Sequence, residues 1–143
     1  MPISYKWYNS DKTVILLTLE RNWTWDDYLY VQESLFGMID SVETVVHYLL
    51  DVRSSRGLPL GALNKLPAIF SKTHPRRGKT IVLGANATIR NVWELLRKVI
   101  PQMSEPRYFF VATLEEAEAL LLTLQKGGQS SIANNGNKEE NQV

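Results

Sequence analysis

Two short stretches carry the side chains best suited to chemistry with a negatively charged group. The first is Arg53-Ser54-Ser55-Arg56-Gly57-Leu58-Pro59, which offers two hydroxyls, two guanidiniums and a flexible glycine in seven residues. Backbone N–H groups at a helix start, reinforced by arginine, suit a phosphate or a carboxylate. Ser54 and Ser55 are also candidate phosphoacceptors, with Arg53 and Arg56 placed to hold the phosphoryl group. The competing reading makes Ser54, Ser55 and Gly57 plain loop and cap residues and pairs the arginines with water or Asp51. The second stretch is Gly84-Ala85-Asn86-Ala87-Thr88. Gly84 allows close backbone approach, Asn86 tolerates left-handed dihedrals, and Thr88 is expected to cap a helix. Together Arg53, Ser54, Ser55, Arg56, Gly84, Asn86 and Thr88 form the expected ligand- or partner-binding set.

Other chemical signatures fail on spacing. Gly78-Lys79-Thr80 resembles the end of a P-loop, but Thr73 stands where the first glycine belongs, and Lys79 opens a strand rather than a helix. His74 sits in a basic turn, His74-Pro75-Arg76-Arg77-Gly78, and His47 lies inside an apolar run. No Gly-x-Ser-x-Gly segment supports a Ser-His-Asp triad. Asp26-Asp27 and Glu115-Glu116 each begin a helical pattern, where the helix dipole explains them. Trp23 suits a hydrophobic staple, which leaves Trp25 as the aromatic available for a pocket rim or a partner surface. With no cysteine and two histidines in 143 residues, thiol chemistry and disulfides are excluded, and a His-rich metal site is too, although carboxylates could still bind a hard cation; no metal ligand and no cofactor are assigned.

The elements that must position these loops follow from the turnover of hydrophobic period. Residues 3–8 and 14–20 read as a hairpin across Asn9-Ser10-Asp11-Lys12. Thr24 and Asp27 start a helix to Asp40, with Trp23 and Tyr28 as staple. Residues 45–52 (VVHYLLDV), 80–85 (TIVLGA) and 108–112 (YFFVA) read as strands covered on both faces. Between them lie a helix over 58–73, disturbed by Pro67, and one from Thr88 to Ile100 that Pro101 stops. Thr113-Leu114-Glu115-Glu116 is a capping box for a last helix. The order β-β-α-β-α-β-α-β-α predicts an α/β fold: a mixed five-stranded sheet, antiparallel at the N-terminal hairpin and otherwise parallel, flanked by four helices. It occupies residues 1–126; the polar run 127–143 is expected to be a disordered tail.

Charge is segregated along the chain. Residues 1–52 carry a net −5, residues 53–107 a net +9 and residues 108–143 a net −3, within an overall +1. Either the basic middle pairs with the acidic ends, or it forms a cationic face for an anionic partner. Nucleic acid is the least favoured partner, because the cations are scattered without interleaved aromatics. No apolar run approaches the roughly 20 residues that span a bilayer, and residues 1–5 lack a signal peptide's order, so the cytoplasm is the expected compartment.

The element order, together with Asn22-Trp23-Thr24-Trp25-Asp26-Asp27, Leu50-Asp51-Val52-Arg53, His74-Pro75 and Val82-Leu83-Gly84-Ala85-Asn86, resembles the STAS domain of bacterial anti-sigma-factor antagonists. Over residues 3–125 the chain is most similar to the diverged branch grouped with lipid-binding CRAL-TRIO domains. The resemblance implies a non-enzymatic regulatory or interaction module that binds a protein partner or a small anionic ligand at the strand-to-helix loops. In antagonist members an Asp-Ser-Ser-Gly-like segment at the start of the second helix is phosphorylated; here Ser54-Ser55 directly follows the strand, ahead of Leu58-Pro59-Leu60-Gly61. A carrier of a lipid or apolar small molecule, with a cavity under the Pro67 helix, is the alternative. An enzyme acting on a phosphorylated metabolite lacks an evident nucleophile and base.

Overall fold

A computed structural model describes residues 2–104 and 107–133. The hairpin pairs β1 (Ile3–Trp7) with β2 (Val14–Leu19). The Asn9 side chain holds its turn, its Oδ1 accepting from the backbone N–H of Thr13 and of Val14 while Lys12 takes a left-handed φ of 57°. Helix α1 (Trp25–Asp40) then begins with the expected capping box: Thr24 Oγ1 accepts from the Asp27 N–H, and the Asp27 carboxylate accepts from the Thr24 N–H. Strand β3 (Val46–Asp51), helix α2 (Ala62–Ser71), strand β4 (Arg77–Leu83), helix α3 (Ala87–Leu96), a 3₁₀ turn (Pro101–Ser104), strand β5 (Tyr108–Val111) and helix α4 (Leu114–Ala133) complete the order.

The sheet runs β1-β2-β3-β4-β5, antiparallel at β1–β2 and parallel elsewhere. The expected mixed sheet with four helices is what forms. One face carries Ile15, Leu17, Val46, Tyr48 and Val82 against α1, α2 and α3. The other carries Val14, Leu49, Ile81 and Leu83 against Ala117 and Leu121 of α4. Three successive crossovers therefore lie on the same face, as right-handed connections require when the strands are laid down in sequence order.

Several boundaries differ from expectation. Helix α2 starts at Ala62 rather than Leu58, because Gly61 adopts φ 91° and breaks the turn before it; Pro67 is accommodated inside the helix. Helix α3 is capped by Asn86, whose Oδ1 accepts from the Ile89 N–H at 2.9 Å; Thr88 is not the cap but sits in the first turn. Of two good cap formers two residues apart, Asn86 has the extended backbone that an N-cap requires (φ −78°, ψ 175°), whereas Thr88 already lies inside the helix. Strand β4 begins at Arg77, three residues earlier than the apolar run indicated. Helix α4 runs to Ala133, past Lys126; residues 134–143, and with them that part of the expected tail, lie outside the described residues.

The early start of β4 matters. Val46 pairs with Arg77, yet Tyr48 pairs with Thr80, so three residues of β4 oppose two of β3 in a β-bulge. An extra residue reverses the alternation of side chains. It turns Arg77 onto the face shared by Thr80 and Val82. Gly78 lies in the bulge, where a Cβ would collide with the His47 ring. His47 Nδ1 accepts the Lys79 N–H at 2.9 Å and holds the bulged backbone.

Candidate functional site

The parallel strands β2, β3 and β4 point their carboxyl ends at one rim, where the two predicted loops meet. The Asn86 amide donates to the Arg56 carbonyl at 3.0 Å, and the Arg53 stem packs over Gly84, whose φ of 81° and missing Cβ make the approach feasible. The loops therefore form one surface.

Within that surface the predicted residues divide. Arg53 is bound to Asp51: its Nε and backbone N–H both reach Oδ1 at 3.0 Å, and Nη2 reaches Oδ2 at 2.8 Å. Burial alone would raise the Asp51 pKa, but the hydrogen bonds from Arg53 outweigh it and hold the carboxyl below its ordinary value. Ser55 faces inward at 5% exposure. Its hydroxyl accepts from the Trp23 indole N–H at 2.9 Å and donates to the Gly57 carbonyl at 3.0 Å. Only Ser54 of the serine pair is exposed, together with Arg56, Asn86 and Thr88. Arg21, which the sequence did not single out, joins Arg56 in lining a shallow depression floored by Trp23 and Ser55.

The two imidazoles stand at the opposite end of the sheet. His74 Nε2 pairs with Asp40 at 2.7 Å, and Arg76 Nη2 donates to the Ile39 and Val42 carbonyls at the carboxyl end of α1, where cations suit the helix dipole. Neither histidine can serve the serines as a base. Part of the basic middle segment thus pairs with α1, as Lys65 also does through Asp26 at 3.2 Å. Among the described residues no three metal-ligating side chains cluster.

A second site lies beneath the rim. The strand order contains no reversal, so no crevice opens between diverging helices at the strand ends; besides the open depression at the rim, free space lies between the sheet and the α1–α2–α3 layer. An apolar cavity of about 80 Å³ is lined there by Leu66, Ile69 and Phe70 of the Pro67 helix and by Trp23, Trp25, Trp93 and Phe110. Trp25 is 6% exposed and donates to the Pro59 carbonyl at 2.9 Å, so it is a wall of this cavity and not a partner-facing aromatic. Trp23 meets it edge-on at 4.8 Å.

The one cation lining the cavity, among the described residues, is Arg77. Its guanidinium stacks 4.5 Å over Tyr48, and Nη2 donates to Thr80 Oγ1 at 2.7 Å. Its Nε–H is buried without an acceptor, and no described carboxylate pairs with it. Burial raises the pKa of Tyr28 and of Tyr48 around it, and the neighbouring guanidinium only partly offsets that. Sequence reasoning grouped Arg77 with the other turn cations. The local signal was Gly78, a glycine inside a strand pattern, which marks a bulge.

No family model matches the chain, and no curated protein matches it. Among solved structures it is similar to an uncharacterised protein of the DUF3478 family, with a SpoIIAA-like fold, from Shewanella loihica PV-4. That protein is 16% identical, the match covers 83% of this chain and 91% of the other, and the TM-score is 0.58. At that identity the likeness establishes the fold: a SpoIIAA-like, that is STAS-like, α/β arrangement. No described helix is long and apolar enough to cross a membrane.

Proposed function

We propose that the chain is a non-enzymatic STAS-like module that binds a protein partner or a small anionic group at the rim where its two strand-to-helix loops join. The observation that carries this reading is the Asn86–Arg56 hydrogen bond. It gathers exposed Ser54, Arg56 and Thr88 beside the amino-terminus of α3, whose first N–H groups favour negative charge. Ser54, with its exposed hydroxyl, is the phosphoacceptor under this reading, and Ser55 serves as a structural strut. Arg53, neutralised by Asp51, braces the loop, while Arg56 and Arg21 supply the charge. Titration with inorganic phosphate, followed by backbone amide shifts, tests it. Movement at Ser54, Arg56, Ala87 and Thr88 that disappears in Arg56→Glu is the expected result. Unchanged amides at the rim, with Ser54 unmodified in protein isolated from its own cells, would reject it.

A second reading, a carrier of a small apolar molecule, is favoured by the aromatic cavity beneath the Pro67 helix. Native mass spectrometry after mild purification reads it directly, through a co-purified mass that denaturation removes.

A further inference from the structure

The cavity has a polar feature that an apolar carrier does not need. Taking a guanidinium out of water is costly unless a counter-charge or a full set of acceptors replaces the lost hydration. Arg77 has the faces of Tyr48 and, farther off, Tyr108, together with the hydroxyls of Thr80 and Tyr108, and its charge is felt by Tyr28, Tyr108 and Tyr48. Tyrosine hydroxyls are neutral at ordinary pH, so these groups solvate the cation without neutralising it. The bulge, moreover, is what brings Arg77 to this face at all; regular alternation would aim it at α4. Bulges commonly re-aim a side chain next to a site.

Resting on the carrier reading, we propose that the cavity takes a small monocarboxylate with an apolar body, its carboxylate on Arg77 and Thr80 and its body among Trp23, Trp25 and Trp93. A single cationic lining residue matches a single negative charge; a phosphate monoester, at roughly −1.5 to −2, would need more donors than this wall provides. The volume bounds the body. About 80 Å³ is near half of the roughly 150 Å³ in which an engineered apolar cavity holds benzene. A short acyl chain fits that space.

The test uses straight-chain acids of four to eight carbons and the primary alcohols of the same length, with binding read by calorimetry and by quenching of the three cavity tryptophans. The wild-type chain is expected to bind each acid at least about tenfold more tightly than its alcohol, with affinity rising roughly fourfold per methylene until the cavity is full. Arg77→Met is expected to abolish the preference for acid while leaving alcohol binding in place, and Arg77→Lys to retain part of it. Equal binding of acid and alcohol by the wild-type chain would overturn the carboxylate assignment and leave the carrier reading standing. Binding of neither would overturn both. Should Arg77→Met not fold, the wild-type comparison and Thr80→Val, expected to weaken the acids selectively, decide the matter.

Discussion

His47 Nδ1 accepts the backbone N–H of Lys79 from the neighbouring strand at 2.9 Å, and this bond exists only while the imidazole is neutral. Burial, with Lys79 as a smaller contributor, lowers the His47 pKa below its ordinary 6.5. The unfolded chain consequently binds this proton more readily than the folded chain does. Stability from this group is complete above the unfolded value of about 6.5 and falls as pH drops through it toward the folded pKa. Urea midpoints at pH 7.5 and 5.5 should separate more for the wild-type chain than for His47→Asn, whose side-chain oxygen can still accept. Identical pH slopes would remove His47 from the account.

Gly78 cannot carry a side chain while His47 occupies its present position. Gly78→Ala is expected to destabilise the fold by about 1–3 kcal/mol through overpacking. In a double-mutant cycle with His47→Ala the two changes should be less than additive, since the collision with the ring disappears and only the close approach to Val45 Cγ1 remains. Additive losses by chemical denaturation would show that the bulge does not depend on this contact.

The adjacent serines should behave oppositely. Ser55→Ala leaves the Trp23 indole N–H without its acceptor and should cost about 1–3 kcal/mol. Ser54→Ala, at an exposed position, should lie within about 0.5 kcal/mol of wild type. A blue shift of tryptophan emission confined to Ser55→Ala is not required; the thermal midpoints decide, and similar midpoints for both variants would contradict the inward orientation of Ser55.

Asn86 performs two tasks that substitution can separate. Asn86→Ala loses both the helix cap and the tie to Arg56, with a cost of about 0.5–2 kcal/mol for the cap. Asn86→Asp keeps an oxygen for the Ile89 N–H but has no donor for the Arg56 carbonyl. It should retain stability while amide exchange in residues 53–57 accelerates. Unaltered exchange there would mean that the loops hold their positions independently.

What the sequence disclosed was what short-range signals encode. The Thr24–Asp27 and Thr113–Glu116 capping boxes each lie within four residues, and both form. The apolar strands and their alternation with helices sufficed for a mixed, otherwise parallel sheet, while the consecutive strand order is seen only in the structure. The failures share a different cause. Whether Ser54 or Ser55 faces Trp23 depends on a side chain more than thirty residues away in sequence, and two neighbouring serines look alike without it. The reach of Arg77 into the cavity depends on a bulge defined only by pairing with β3. Arg53 has a local partner in Asp51, two residues back, and the sequence itself offers that pairing as an alternative to ligand binding.

The consecutive order of the strands also bears on how the chain assembles. Each strand pairs with its immediate predecessor in synthesis, and each crossover helix drops onto a surface already laid down, so loop closures are modest throughout. The exception is the far side of the sheet. Leu49, Ile81 and Leu83 stay uncovered until α4, which follows every strand of the sheet in the chain, docks on them. A ribosome-bound intermediate lacking only that helix would be an almost finished sheet with one greasy side in water, the species on which a nascent-chain chaperone would act.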